Sequence, residues 1–192
     1  MKRIRAISLF VVAASVCLFL GSFRTAAYPA SKQILTSTGI GPVHIGMTVP
    51  EAEKALGQKL KPMDASDGVS SESCWFTARA DGSEYWLEYM IEYGKIVRID
   101  VSDGKPGQRE KVVPPIVSQK GIGIGSSEQL IKDRYGSNLE ISPHPEMEED
   151  GHYMMVLDQD KRNGILFETT YGKVVTFRSG MTEEIKGVEG CL

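Results

Sequence analysis

Histidine and carboxylate side chains crowd into one segment in the second half of the 192-residue chain. His144 and His152 flank a run that holds four acidic residues. Imidazole and carboxylate groups together suit zinc or a similar divalent ion, so His144, His152 and Glu146 form a candidate metal site. Their spacing matches no standard ligand pattern, and an acidic, proline-containing loop with two incidental histidines is the commoner arrangement. A metal or small-ligand binder is therefore the alternative function.

The other chemistry-bearing residues form no catalytic or nucleotide-binding motif. The sequence holds no Gly-x-Ser-x-Gly or His-Glu-x-x-His motif. The glycine-rich segment 121–127 precedes a predicted helix, as an anion-binding loop does, but no P-loop lysine follows it. Glu88 and Glu92 share one face of a strand and could do acid–base work only in a cleft. We predict a protein that is not an enzyme and that needs no cofactor, while a hydrolase with an unrecognised site stays open.

The elements that must position these residues occur twice. Segment 120–135 matches a stretch 79 residues upstream, where Ile45-Gly46 aligns with Ile124-Gly125, and residues 170–175 match 92–97 at an offset of 78. We interpret this as one supersecondary unit used in tandem. The division is a signal peptide at 1–27, unit one at 38–101, a linker at 102–119, unit two at 120–180 and a C-terminal tail at 181–192.

Each unit reads as a short capped helix followed by antiparallel strands. Thr48 with Glu51 predicts a capping box and Gly57 a helix stop, while Ser126 or Ser127 begins a second helix that runs through Tyr135. Alternating apolar residues and glycine turns predict the strands: Cys74–Ala80, Glu84–Tyr93, Lys95–Val101, His152–Asp158, Gly164–Tyr171 and Lys173–Ser179. The fold class is α+β, with each helix packed on a three- to four-stranded antiparallel meander and the two sheets joined into one.

The strand alternation divides the sheet into two sides. One side should receive the helices: Tyr85, Leu87, Tyr89, Ile91, Val97, Ile99, Ile165, Phe167, Val175 and Phe177. The other side should stay open and is our candidate partner-binding surface: Trp86, Glu88, Met90, Glu92, Arg98, Asp100, Leu166, Glu168 and Arg178. Aromatic, Met and Arg residues among carboxylates are typical of a protein-binding surface, although an ordinary solvated sheet would also fit.

The N-terminus predicts export. Basic residues precede an apolar run from Ala6 to Phe23, and Thr25-Ala26-Ala27 suits cleavage after Ala27. A retained anchor and a lipid-modified Cys17 are the open alternatives. Loss of the signal moves the formal charge from −3 to about −7, because four basic residues leave with it. An acidic exported protein is a poor partner for nucleic acid, and no later apolar run could span a membrane.

Two cysteines remain after cleavage, Cys74 and Cys191. In an oxidising compartment an isolated pair most often forms a disulfide, and two separate thiols are the alternative. A disulfide would tie the second-to-last residue of the chain to the first long strand of unit one.

The chain uses the same order of elements twice: a glycine-punctuated strand, a polar cap, a short helix, a glycine, a loop and three strands. This order resembles the beta-lactamase inhibitory protein fold. It is also similar to small outer-membrane assembly lipoproteins, whose helix opens with a cap like Gly46-Met47-Thr48. Exported bacterial proteins that end in a tail like Glu189-Gly190-Cys191 are similar as well. The resemblance implies a sheet that grips other proteins. The expected function is an exported, inhibitor-like binding module for another envelope or secreted protein, periplasmic or secreted.

Overall fold

The computed structural model describes residues 33–63, 73–79, 87–102, 116–147, 149–188 and 190–191. The predicted signal peptide and Trp86 lie outside the described residues. The elements are β1 (Gln33–Thr36), β2 (Gly39–Ile40), β3 (Val43–His44), α1 (Val49–Leu56), β4 (Leu60–Pro62), β5 (Cys74–Arg79), β6 (Leu87–Glu92), β7 (Lys95–Ser102), β8 (Ile116–Ser118), α2 (Glu128–Tyr135), a 3₁₀ turn (Gly136–Asn138), β9 (Leu139–Pro143), β10 (Gly151–Leu157), β11 (Asn163–Thr170), β12 (Lys173–Met181) and α3 (Thr182–Lys186).

The strands form two sheets, and the fold is α+β as predicted. The larger sheet has eight antiparallel strands in the order β4-β5-β6-β7-β12-β11-β10-β9. Its centre is the β7–β12 pair, in which Arg98 lies opposite Gly180 and Asp100 opposite Arg178. The smaller sheet has the order β3-β2-β1-β8, with β1 parallel to β8. No helix within the described part of the chain is long and apolar enough to cross a membrane.

The predicted caps position α1 and α2. The Thr48 amide donates to Glu51 Oε2 at 2.8 Å, and Gly57 ends α1 with a φ of 70° that favours glycine. Ser127 Oγ accepts from the Leu130 amide at 3.2 Å and begins α2. Both caps also contact the sheet, because isolated bridges join Thr48 to Lys95 and Ser127 to Lys173. These bridges fix the start of each helix against an inner hairpin of the large sheet, β6–β7 for α1 and β11–β12 for α2.

The main core lies on the side of the eight-stranded sheet that faces α1, α2 and the smaller sheet; we call this the helix side. It contains Leu87, Tyr89, Ile91 and Ile99 of the predicted set, and Phe167 and Phe177 stack there with their ring centroids 5.9 Å apart. The assignment of Val97 and Val175 to this side is wrong. The register shifts between Met90 and Ile91 and between Glu168 and Thr169. Each β-bulge inserts one residue, so that Ile96 and Val174 take the core positions instead.

The opposite side of the sheet, which we call the tail side, is not open as predicted. The C-terminal tail crosses it, Ile185 of α3 is completely buried, and Cys191 forms the predicted disulfide with Cys74. The tail contributes a residue to each of two apolar clusters on this side. The first cluster holds Cys74, Phe76, Met90, Val97 and the tail residue Cys191. The second holds Tyr153, Met155, Leu157, Leu166 and the tail residue Ile185. The disulfide indicates a non-reducing compartment.

Candidate functional site

Arg98, at the centre of the tail side, holds the end of α3. Its side chain is 5% exposed, and its Nη1 donates to Glu184 O at 2.9 Å and Gly187 O at 3.2 Å. Nε donates to Asp100 Oδ2 at 2.9 Å, and the guanidinium carbon lies 5.5 Å from the ring centroid of Phe76. Glu184 O also accepts the Gly187 amide at 3.3 Å, so the Arg98 cation adds a second donor to that carbonyl and supplies a donor to Gly187 O just beyond the helix.

Arg178, on the neighbouring strand β12, also lies on the tail side and holds the same helix. Its Nε donates to Ile185 O at 2.6 Å and its Nη1 to Glu168 Oε2 at 3.4 Å. The guanidinium carbon lies 5.2 Å from the ring centroid of Tyr153. Arg98 and Arg178 thus each combine one carboxylate, one aromatic ring and one or two tail carbonyls, which is the set of partners that a guanidinium fork can satisfy at once.

Glu168 links Arg178 to one of the predicted metal ligands, His144. His144 Nδ1 accepts the Glu146 amide at 3.1 Å, so its Nε2 carries the hydrogen and donates to Glu168 Oε1 at 2.9 Å. The imidazole also meets Tyr153 edge-on with the ring centroids 5.0 Å apart. Both ring nitrogens of His144 are therefore engaged in hydrogen bonds, and neither is free to bind a metal.

The charges on this side act on two titratable groups. Burial raises the pKa of the Tyr153 hydroxyl, and Arg178 opposes that rise. The two groups form no well-shaped hydrogen bond, since Tyr153 Oη and Arg178 Nη2 are buried without an acceptable partner among the described residues. Burial also raises the pKa of Glu184, helped by the negative charges of Glu92 and Glu183 and opposed by Arg98. Burial therefore disfavours the charged form of both groups, although each lies near a buried guanidinium.

The second predicted metal ligand, His152, lies on the helix side. Its Nδ1 is 2.8 Å from Glu128 Oε1, the oxygen that also accepts the Thr169 hydroxyl at 2.7 Å. Burial raises the pKa of Glu128, but the hydrogen bonds from Thr169 and His152 and the charge of Lys132 lower it more, so its pKa is below the ordinary value. This cluster fastens the first turn of α2 to β10 and β11.

The predicted metal site is not assembled. His144 and His152 pair with different carboxylates on opposite sides of the sheet, and Glu146 reaches His144 through its backbone amide. Across the described ranges no group of three or more His, Cys, Asp or Glu side chains could hold a metal ion. The pairing of β9 with β10 explains the separation. His152 lies opposite Pro143, and His144 comes one position after Pro143, so the two histidines point to opposite sides of the sheet.

The predicted partner-binding residues divide into two groups. Four of them are buried at 4% exposure or less, which corrects the expectation that they face solvent: Met90, Arg98, Leu166 and Arg178. Four others stay partly exposed: Glu88, Glu92, Asp100 and Glu168. Sequence reasoning missed Phe76, Tyr153 and Ile185 as their contacts. The predicted disulfide was the available signal, because a chain end tied to β5 has to pass over one side of the sheet.

Comparisons with known proteins supply no relative for this site. No protein-family model matches the chain, and no curated protein or solved structure matches it either.

Proposed function

We propose that the protein is an exported, non-enzymatic protein-binding module, inhibitor-like in its mode of action, that uses the tail side of its eight-stranded sheet. One observation carries the proposal: this side already receives a polypeptide, the C-terminal tail. Arg98 and Arg178 donate three hydrogen bonds to tail carbonyls, and Ile185 is buried in the cluster that contains Leu166. Buried arginine and aromatic groups on rigid strands are the anchors that protein interfaces use.

The surface available to a partner is the half-exposed rim beside the tail. We define the rim as five residues of β6, β7, β11 and β12 that share this side: Glu88, Asp100, Ser102, Glu168 and Thr176. Three of the five are acidic, so the rim suits a partner surface that carries Lys or Arg. The buried guanidinium groups of Arg98 and Arg178 hold Asp100 and Glu168 in place, which lowers the entropy that binding would cost.

Duplication of one unit is part of the proposal. Each half of the eight-stranded sheet is a four-stranded meander, and the halves meet at β7 and β12. The two inner hairpins turn at Tyr93-Gly94 and Tyr171-Gly172, each with a positive φ at the tyrosine. The bulges after these turns are also equivalent. These matches support two copies of one supersecondary unit, with the tail shared between them.

Export is proposed on the strength of the N-terminal sequence and the disulfide. Positively charged residues, an apolar run and small residues before Tyr28 have the order of a secretory signal. The Cys74–Cys191 bond requires a compartment in which disulfides persist. Among the described residues, no observation favours the metal or small-ligand alternative.

The test is site-specific photo-crosslinking in the native envelope. A photoreactive residue at Thr176, on the rim, is compared with one at Lys54, an exposed residue of α1 on the helix side. We expect one protein to be crosslinked to the photoreactive residue at Thr176 and not to the one at Lys54. This crosslink should be lost when Glu88→Arg reverses a charge of the rim. The proposal fails if both positions capture the same proteins or neither captures any.

A further inference from the structure

The disulfide holds the tail at its far end. β12 runs directly into the tail, and Cys191, the last residue but one, is bonded to Cys74 on β5. With both ends fixed, the tail cannot separate fully from the sheet unless this bond breaks or β12 itself unpairs. Gly190 lies against the Phe76 ring with a φ of 76°, so the end of the tail follows the sheet closely.

The middle of the tail has little stability of its own. α3 has five residues, far fewer than a helix needs to persist alone in water. It is held by Ile185, which is completely buried, and by the hydrogen bonds from Arg98 and Arg178. Among the described residues, the outer side chains of Glu183 and Lys186 form an ion pair with each other, at 3.2 Å. A tail released at Cys191 can therefore open without disturbing the main core, which lies on the other side of the sheet.

We propose that the disulfide is a latch: when it is reduced, the tail opens, and the uncovered side binds a partner segment with the chemistry of α3. This inference rests on the proposed function and adds its regulation. The reductant is the dithiol of a thiol–disulfide oxidoreductase. It gives two electrons and two protons to the Cys74–Cys191 bond, which becomes two thiols, while the dithiol becomes a disulfide.

The side chains beneath the tail define the segment that would replace it. Arg98 and Arg178 receive the carbonyl end of a short helix, and the cluster with Tyr153 and Leu166 receives one aliphatic side chain. The occupant is therefore a short helical segment of a partner protein, with an aliphatic residue in its last turn and an uncapped carbonyl end.

Opening is tested first, by hydrogen exchange on the mature chain without any partner. Oxidised protein is compared with reduced protein and with the Cys191→Ser variant. We expect the amides of Thr182–Lys186 to exchange at least tenfold faster when the disulfide is absent. The ratio between the exchange rates of β11 and those of the other core strands should not change. The latch is overturned if α3 keeps its protection after reduction, or if α3 and β11 lose protection together.

Binding is tested second, with a fluorescein-labelled peptide of residues 180–192 that carries Ser at position 191. We expect this probe to bind reduced protein and the Cys191→Ser chain at least tenfold more tightly than oxidised protein. Adding Ile185→Ala to the Cys191→Ser chain weakens the competing tail, and so should tighten probe binding further, whereas mere damage to the fold would weaken it. Equal or absent probe binding in all forms overturns the proposed occupant. A partner crosslinked to Thr176 equally in both redox states overturns the latch but supports the proposed function.

Discussion

Arg98 and Arg178 lie on the two central strands of the sheet and donate to consecutive carbonyls of one five-residue helix. Arg98 Nη1 is 2.9 Å from Glu184 O, and Arg178 Nε is 2.6 Å from Ile185 O. A buried guanidinium that loses its acceptors costs several kcal/mol, and so does a carboxylate that loses its guanidinium. In the disulfide-bonded protein the tail and the two arginines therefore depend on each other, and the tail is part of the folded structure.

Arg178→Gln should destabilise the protein by about 3 kcal/mol, because it leaves Ile185 O and the carboxylate of Glu168 without their cationic partner. The measurement is the free energy of unfolding from urea titration. Arg162→Gln is the matched control, since the Arg162 side chain is 82% exposed and its pair with Asp160 lies in solvent, so that its loss should change the free energy of unfolding little. Equal losses in the two variants would contradict the role of Arg178.

The sequence was sufficient for the local elements of the fold. Capping at Thr48 and Ser127, glycine turns and the pairing of Cys74 with Cys191 all have short-range or compositional signals, and the structure confirms them. The small sheet was missed, because its strands have two to four residues and two of its members are far apart in the chain. Such pairings are decided by tertiary packing, which has no local signal.

Alternation predicts which side of the sheet each strand residue faces only as far as the β-bulge in that strand. Alternation from Leu87 to Ile91 placed the core correctly, but one inserted residue in β7 moved Val97 to the tail side. The cover over the tail side was also missed. Arg98 and Arg178 have the residue type of interface anchors, and nothing in the local sequence distinguishes an anchor for a partner from an anchor for the chain's own tail.

The bulge in β12 makes a sharp prediction about two adjacent valines. Val174 is 1% exposed in the main core, while Val175 is half-buried at the bulge. Val174→Ala should therefore cost about 2 to 3 kcal/mol through lost burial and a residual cavity, and Val175→Ala less than about 1 kcal/mol. Urea unfolding of the two variants checks this. The reverse order would mean that the strand continues without a bulge.

Glu128 should make the protein acid-sensitive. Its folded pKa lies below the ordinary value, since the hydrogen bonds from Thr169 and His152 and nearby positive charge outweigh the effect of burial. Its contribution to the free energy of unfolding is therefore present above the unfolded pKa and lost as pH falls through the folded pKa. Glu128→Gln should cost about 1 to 2 kcal/mol at pH 7. The difference from the unsubstituted protein should shrink towards pH 3. Glu140→Gln, on the exposed strand β9, is the control and should change little at either pH.

Glu184 should have the opposite pH dependence. Burial, and then the negative charges of Glu92 and Glu183, raise its folded pKa above the ordinary value of 4.5. Below that value the carboxyl is neutral in both states. As pH rises, the unfolded chain ionises first, so the free energy of unfolding falls through the folded pKa. Glu184→Gln should remove this loss and make the protein more stable than the unsubstituted chain at pH 7, but not at pH 4. Urea titrations between these values test it, with Glu140→Gln on the exposed strand β9 as the control, because the Glu140 charge is not among the causes of the raised Glu184 pKa. A Glu184→Gln variant that is no more stable at pH 7 would show that the ionised carboxylate is stabilised by Arg98 more than it is opposed by burial beneath the tail.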